Sequence, residues 1–457
     1  MAGILDGLNT AKMALSAQQY AITITQRNAA NVNNPNYTRQ DLFFTDPTAV
    51  TNWTASGVPG VTMSAARNRY LDYSISREFS EFRENYVKHN ALLEIDAILR
   101  ATGGGGLGTS ISEFFNSFTE LSSNPTDSAL RWQVVSRANT MAQDFERIYD
   151  NITRVKTSSE QQIVRGLDEV NNLTAKIADL NERAGIAKSR GDMETEAALT
   201  DERQMYLEEL QGKIGILYFE HYDTETDTIS ITVTTTRGDA IVLGNRSFAL
   251  TASVTPTDTT INLNGTGDVT KTIESGEIGG HLQMVNDLIP EYLNRLNAMA
   301  VTIITNVNSM HNGGMNLDGE ISGATGFVQD FFTGTYASDI AVNIDDPKKV
   351  VAADDTAAIG DNSIAVLLGE LGKTLALDKD YAELVYKVGS DQREAKEAIE
   401  KQQNVLNQLL DQRNSESGVS FNEEAINLIR FQRAYQASAQ FVSVLNTLSA
   451  EILQIVR

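Results

Sequence analysis

The stretch Leu428-Ile429-Arg430-Phe431-Gln432-Arg433-Ala434-Tyr435-Gln436-Ala437-Ser438 decides the fold. Leu428, Phe431, Tyr435 and Ser438 are spaced by alternating steps of three and four, and the pattern continues through Val442, Leu445, Ser449, Ile452 and Val456. That spacing keeps one side of a helix turned toward a partner helix. Upstream, Ser420-Phe421-Asn422-Glu423 has the pattern of a capping box, with Gly418 before it, and predicts the helix start. The other end of the chain matches. Leu8, Leu15, Ile22 and Ala29 recur every seven residues, with Ile4, Ala11 and Val32 on companion positions. Both ends therefore read as long coiled-coil-like helices.

Both seams are weak. Gln18, Thr25, Ser438 and Ser449 occupy seam positions, and alanine is frequent. Such helices gain little from burial individually. Two readings stay open: an ordinary helix pair closing one domain, or ends that order fully only against further copies of themselves.

Working inward, prolines punctuate the chain at 35, 47, 59, 125, 256, 290 and 347. The proline-free span 127–211 predicts helix, with Ile163, Val170, Ile177 and Ala184 seven apart and a break near Gly185 to Gly191. A second long helix is expected over about 380–413 through Leu384, Val388, Ala395, Val405 and Leu409, and a helix broken or kinked at Pro290 over 281–311. Residues 216–275 differ in texture. They are rich in Thr, Val and Ile, and Ile229-Ser230-Ile231-Thr232-Val233-Thr234 alternates strictly, the mark of a half-buried strand. A second short β region is expected at 41–65.

The expected fold class is mainly α with a β insertion. Residues 1–40 and 420–457 would form a terminal helical assembly domain. Residues 41–215 and 276–419 would form a helical rod body with short β elements. Residues 216–275 would be an inserted β-rich outer subdomain.

Composition narrows function. The net charge of −23 disfavours nucleic acid, whose phosphates call for Lys and Arg. The ends are exceptions to the acidic balance. Residues 1–40 hold Asp6 against Lys12, Arg27 and Arg39, and residues 421–457 hold three acids and three arginines. Near-neutral ends on an acidic chain suit ends that crowd together while the rest faces water. Cysteine is absent, which excludes disulfides and thiolate metal sites. No cleavable signal or run of apolar residues long enough to span a bilayer is visible, so no membrane partner is expected.

No catalytic constellation emerges, so the chain is not expected to be an enzyme and no cofactor or metal is expected. His89, His221, His281 and His311 lack ligand spacing and read as surface or packing residues. Gly103 to Gly108 lacks the Lys-Ser or Lys-Thr of a phosphate loop and reads as a loop before a helix starting near Thr109. Asn316-Leu317-Asp318-Gly319 misses both anchors of a calcium loop and reads as a polar turn. Acidic pairs such as Asp345-Asp346 are expected by composition alone.

One stretch does carry identity. Ala30-Asn31-Val32-Asn33-Asn34-Pro35-Asn36-Tyr37-Thr38-Arg39-Gln40 resembles the N-terminal signature of the bacterial flagellar axial proteins, the rod, hook and hook-associated proteins. The ending Tyr37-Thr38-Arg39-Gln40 is more similar to the hook-associated branch than to the hook protein. Asn36 stands where that family usually has Gly, and Asn best tolerates the left-handed backbone among the other residues. Leu199-Thr200-Asp201-Glu202-Arg203 resembles the stretch closing the family's helical body, with Gln204 in place of its final Asp. Asn308-Ser309-Met310-His311, Phe331-Phe332 and Gly360-Asp361-Asn362-Ser363 resemble later blocks. Ser417 to Glu424, Leu428 to Gln432 and Ala434 to Ala439 resemble the C-terminal signature. The segment after Phe332 is short where many relatives carry larger β domains.

The resemblance implies an external structural subunit at the junction of hook and filament, exported without a cleaved signal peptide through the flagellar type III apparatus. It implies self-association in a ring or tube, contact with the hook protein and with a second hook-associated protein, and an export chaperone on the C-terminal helix. The assembly residues expected are Leu8, Leu15, Ile22, Leu428, Phe431, Tyr435, Val442, Leu445 and Ile452, with Asn31, Asn33, Pro35, Tyr37, Thr38, Arg39 and Gln40 setting the turn after the first helix. The alternatives are another axial protein, or a secreted helical adhesin or effector.

Overall fold

The computed structural model describes residues 2–33, 37, 39–44, 61–65, 68–100, 106–223, 228–321, 330–354, 356 and 358–455. The chain is mainly α, with small antiparallel sheets. Helix α1 (Ala2–Ala30) leads to a hairpin of β1 (Gln40–Phe44) and β2 (Val61–Ala65), with Gln40 opposite Ala65. Then follow α2 (Arg69–Arg100), α3 (Gly106–Leu121), α4 (Ser128–Ser189) and α5 (Met193–Lys213). Strands β3 (Ile216–Asp223), β4 (Thr228–Thr235), β5 (Ala240–Leu243) and β6 (Arg246–Ser247) form one sheet in sequence order. Strands β7 (Leu250–Val254), β8 (Thr259–Leu263) and β9 (Gly267–Asp268) form another. Helices α6 (Gly276–Gln283) and α7 (Ile289–His311) flank a π turn at Met284–Leu288. Short strands β10 (Gly314–Met315) and β13 (Ala353–Asp354) pair, as do β11 (Phe332–Thr333) and β12 (Ala341–Val342). Helices α8 (Ser363–Leu375), α9 (Leu377–Ser417) and α10 (Phe421–Ile455) complete the chain.

Two compact units result. The first comprises residues 1–79, 171–248 and 402–457, and the second 80–170 and 249–401. The strand-rich segment read from sequence as one insertion over 216–275 thus forms two sheets, one in each unit, with the division at Phe248 and Ala249. Alternation predicts strands, but it does not say which strands pair.

The second unit has a continuous core. Phe114, Phe118, Phe331 and Phe332 are fully buried, with ring centroids 4.8 to 5.9 Å apart. Leu92, Ile95, Phe145, Tyr292 and Leu384 belong to the same buried cluster. Glycines let α8 approach α3: a Cβ at Gly369 would strike the Thr119 side chain, and one at Gly372 would strike Phe115. Arg131, 1% exposed, donates through Nε to the Pro125 carbonyl at 2.7 Å and through Nη1 to the Val350 carbonyl. Burial pulls its pKa down to about 10, against the smaller pull of Asp318. His311 is a packing residue, its ring edge-on to Phe331 and its Nε2 accepting from the Val351 amide at 3.1 Å. Asn316 makes the expected polar turn, its Oδ1 accepting from the Asp318 and Glu320 amides at 3.0 Å each.

Where the helix is expected to break or kink at Pro290, it contains a π turn that ends just before the proline. The wider hydrogen-bond ring accommodates a residue with no N–H to give. The break expected near Gly185 to Gly191 falls between α4 and α5, where Gly191 has φ +73° and Asp192 caps α5 by accepting from the Thr195 amide. Helix α3 begins at Gly106, three residues earlier than expected.

Candidate assembly interface

Helices α1 and α10 pack along one another in the first unit. On α1 the buried positions are Ala11, Ala17, Ala21, Ile24, Thr25 and Asn28. Among the described side chains they form one stripe at helical spacing, and half of it is alanine. Small side chains bring two helices close, but each buries less than the ~1.5–3 kcal/mol worth of surface that a leucine or isoleucine would.

The sequence seam on α1 is displaced from this stripe. Leu15 and Ile22 are half-buried at its flank, and Leu8 lies in the helix with its side chain outside the described residues. On α10 the seam fares better. Leu428, Phe431, Val442 and Leu445 are half-buried, and Tyr435 is just exposed. The Ile452 side chain lies outside the described residues.

A second stripe went unread in the sequence. Ile426, Ile429, Phe441, Val444 and Leu448 are 43% to 67% exposed. At 3.6 residues per turn they share one face, about half a turn from the seam that faces α1. Their signal was present, since an apolar residue recurs on that face too, but the seven-residue seam drew the reading to the other side. Scattered exposed apolar residues are ordinary; a row of five along one helix face marks an interaction surface.

The signature turn locks the two helices together. Asn28, buried on α1, donates from Nδ2 to the Gln40 carbonyl at 3.0 Å, and its Oδ1 accepts from the Gln40 amide at 3.1 Å and the Tyr37 hydroxyl at 2.7 Å. Burial first, and the Asp201 carboxylate second, raise the Tyr37 pKa, so the phenol stays a donor. Arg39 reaches the start of α10. Its Nη1 donates to Glu423 at 3.0 Å, and its Nε lies 3.2 Å from the Glu424 carboxylate, a charge contact without hydrogen-bond alignment. Glu424 has a side chain only 2% exposed, so Arg39 places a cation beside a buried carboxylate.

The capping box expected at Ser420 is only half realised. Helix α10 does start at Phe421, but Glu423 pairs with Arg39, and Ser420 makes no side-chain cap among the described residues. An ion pair to a guanidinium outcompetes a bond to a single backbone amide.

Among the other signature residues, Asn31 donates from Nδ2 to the Arg27 carbonyl at 3.0 Å, and Asn33 lies in the turn that ends α1. Pro35 and Thr38 lie outside the described residues. The Leu199 to Arg203 block has a structural task. Arg203, 3% exposed, donates to Asn181 Oδ1 at 2.8 Å, and Asn181 grips β4 through the Ile231 amide and carbonyl.

Among the described residues no three His, Asp or Glu side chains are grouped to hold a metal ion, and no helix is long and apolar enough to cross a membrane.

Comparison with known proteins gives a consistent answer. Residues 92–332 match the helical domain of flagellar hook-associated protein FlgK, and residues 411–455 match the C-terminal region shared by the basal body rod FlgEFG proteins. The chain is similar to flagellar hook-associated protein 1 of Bacillus subtilis strain 168, at 26% identity over 508 residues, covering 99% of this chain and 98% of that protein. It is also similar to flagellar hook-associated protein 1 of Escherichia coli K12, at 22% identity, covering 98% of this chain and 99% of that one. The fold resembles that of the flagellar hook junction protein FlgK from Burkholderia pseudomallei, with a TM-score of 0.63 at 13% identity over 76% of this chain and 100% of that chain.

Proposed function

The chain belongs to the FlgK family of flagellar hook-associated proteins, and from that premise we propose that it is a structural subunit of the junction between hook and filament. The observation that carries the mechanism is the second apolar stripe of α10. One side of α10 is used against α1 within the chain, and Ile426, Ile429, Phe441, Val444 and Leu448 remain for neighbouring subunits. Packing neighbours against that row removes five large apolar side chains from water, the driving force that alanine-rich α1 cannot supply alone.

The seam residues and the stripe thus have separate tasks. Leu15, Ile22, Leu428, Phe431, Tyr435, Val442 and Leu445 join α1 to α10, with Leu8 and Ile452 extending the same rows. The Tyr37 to Gln40 turn sets where α10 begins along α1. The stripe meets other subunits, in a ring or tube that contacts the hook on one side and a second hook-associated protein on the other. Before assembly the exposed stripe needs cover, which suits an export chaperone taking an amphipathic helix in a groove. Export proceeds without a cleaved signal, and the role is structural rather than enzymatic.

The test is complementation of a strain lacking its own junction protein. The native chain should restore filament attachment, and Val444→Asp should be exported yet fail to enter the junction, because an added carboxylate must be desolvated there. Normal filaments from Val444→Asp would refute this use of the stripe. Export without any effect on filament attachment would favour the secreted adhesin or effector reading instead.

A further inference from the structure

We propose that Asn264 is a site of spontaneous deamidation, and that Asn312 is shielded from it. The chain contains two Asn-Gly steps, Asn264-Gly265 and Asn312-Gly313. Only before glycine does the following amide meet so little side-chain hindrance. The two steps sit in opposite surroundings.

Asn264-Gly265 forms the tip of the β8–β9 hairpin, a tight turn closed by the Thr266 amide donating to the Leu263 carbonyl at 3.1 Å. Gly265 has φ +89°, with nothing within 4 Å of the position a Cβ would take. Both residues are exposed. Neither the Asn264 carboxamide nor the Gly265 amide has a hydrogen-bond partner among the described residues. At the second step the Asn312 carboxamide donates to Asp330 at 2.6 Å, and the Gly313 amide donates to the Met310 carbonyl at 3.0 Å. Nucleophile and electrophile are both restrained there.

In the reaction the Gly265 nitrogen, its proton taken by hydroxide, attacks the Asn264 Cγ. The Cγ–Nδ2 bond breaks, and ammonia leaves with a proton from water. The five-membered succinimide then adds water at either carbonyl, giving aspartate or isoaspartate at 264. No oxidant or reductant takes part. Isoaspartate lengthens the main chain at the turn and adds a carboxylate to a hairpin whose returning strand already carries Asp268. The turn bond and the Leu263–Gly267 pairing would both be lost.

The test ages the purified chain in mildly alkaline buffer and maps its peptides by mass spectrometry, beside a short synthetic peptide spanning the Asn264 step. Residue 264 should convert at least about tenfold faster than residue 312, because local structure protects the latter. Asn264→Gln, which would need a six-membered ring, should remove the signal. Equal rates at the two steps, faster conversion at 312, or an unchanged 264 after the peptide has fully converted would each overturn the proposal.

Discussion

The aromatic core of the second unit and the α1–α10 pair of the first are both helical, but they are built to different ends. Around Phe114, Phe118, Phe331 and Phe332 the large apolar side chains point inward and are fully buried. On α1 half of the buried stripe is alanine, the inner side of α10 is only half-buried, and the large apolar residues Ile426, Ile429, Phe441, Val444 and Leu448 are exposed. The first arrangement stabilises an isolated chain. The second leaves apolar surface uncovered in the single chain, and under the proposed role neighbouring subunits would cover it.

The largest effect that would break this contrast comes from substituting the outer stripe. Val444→Asp should abolish incorporation while leaving the helicity and melting of the monomer unchanged by circular dichroism. Leu445→Asp, one residue on and facing α1, should instead loosen the pair in the monomer by about 2–3 kcal/mol. If the two substitutions behaved alike in the monomer, the division of α10 into inner and outer faces would be wrong.

In the second unit, Phe114→Ala should cost about 3–5 kcal/mol, because the surrounding rings collapse only partly into the space. Chemical denaturation followed by a probe in that unit measures it. A cost under about 1 kcal/mol would mean the core is softer than its burial implies.

The signature lock offers a third comparison. Arg39→Ala removes the charged hydrogen bond to Glu423 and the cation beside buried Glu424, and should destabilise the start of α10 by about 1.5–3 kcal/mol. Adding Glu424→Gln removes the buried carboxylate and should recover part of that loss, a coupling that a double-mutant cycle reads directly.

The smallest expected effect depends on pH and belongs to the second unit. His281 Nδ1 is buried without a hydrogen-bond partner among the described residues, and burial first, then the Arg165 charge, lowers its pKa from 6.5 to about 4. The unfolded chain therefore binds a proton between these values that the folded chain does not. Stability is complete above pH 6.5 and falls as pH drops toward 4. The loss should be about 2 kcal/mol, allowing for partial exposure of the ring. His281→Gln should remove that part of the pH dependence in urea melts.

Much of the fold was legible because its longest helices carry strong periodicity and clear stops. Residues 128–189 obey a seven-residue spacing and end beside Gly191; residues 377–417 end at Gly418, where a Cβ would strike the Asn414 carbonyl. Helix α2 was not legible. Leu71, Leu92, Ile95 and Leu99 are buried while Tyr70, Tyr73, Tyr86 and Leu93 are exposed, so its apolar residues ring the helix and no single stripe stands out. The candidate site was half legible. On α10 the seam positions read from spacing are the less exposed side, but on α1 the spacing centred on leucines and kept only Ala11 of the three buried alanines. Asn28 was missed altogether, although a polar residue on the same face as Ala21, Ile24 and Thr25 was the available clue. Its role depends on Tyr37 and Gln40 folding back, which local spacing does not reveal.

Hydrogen exchange on the purified monomer tests the central claim most directly, comparing α1 and α10 with the second-unit part of α4. Fast exchange in α1 and α10 beside strong protection in α4 is the predicted result, because the terminal pair is completed only by neighbouring subunits. Equal protection in all three helices would contradict it and would mean that the terminal pair is already a finished domain.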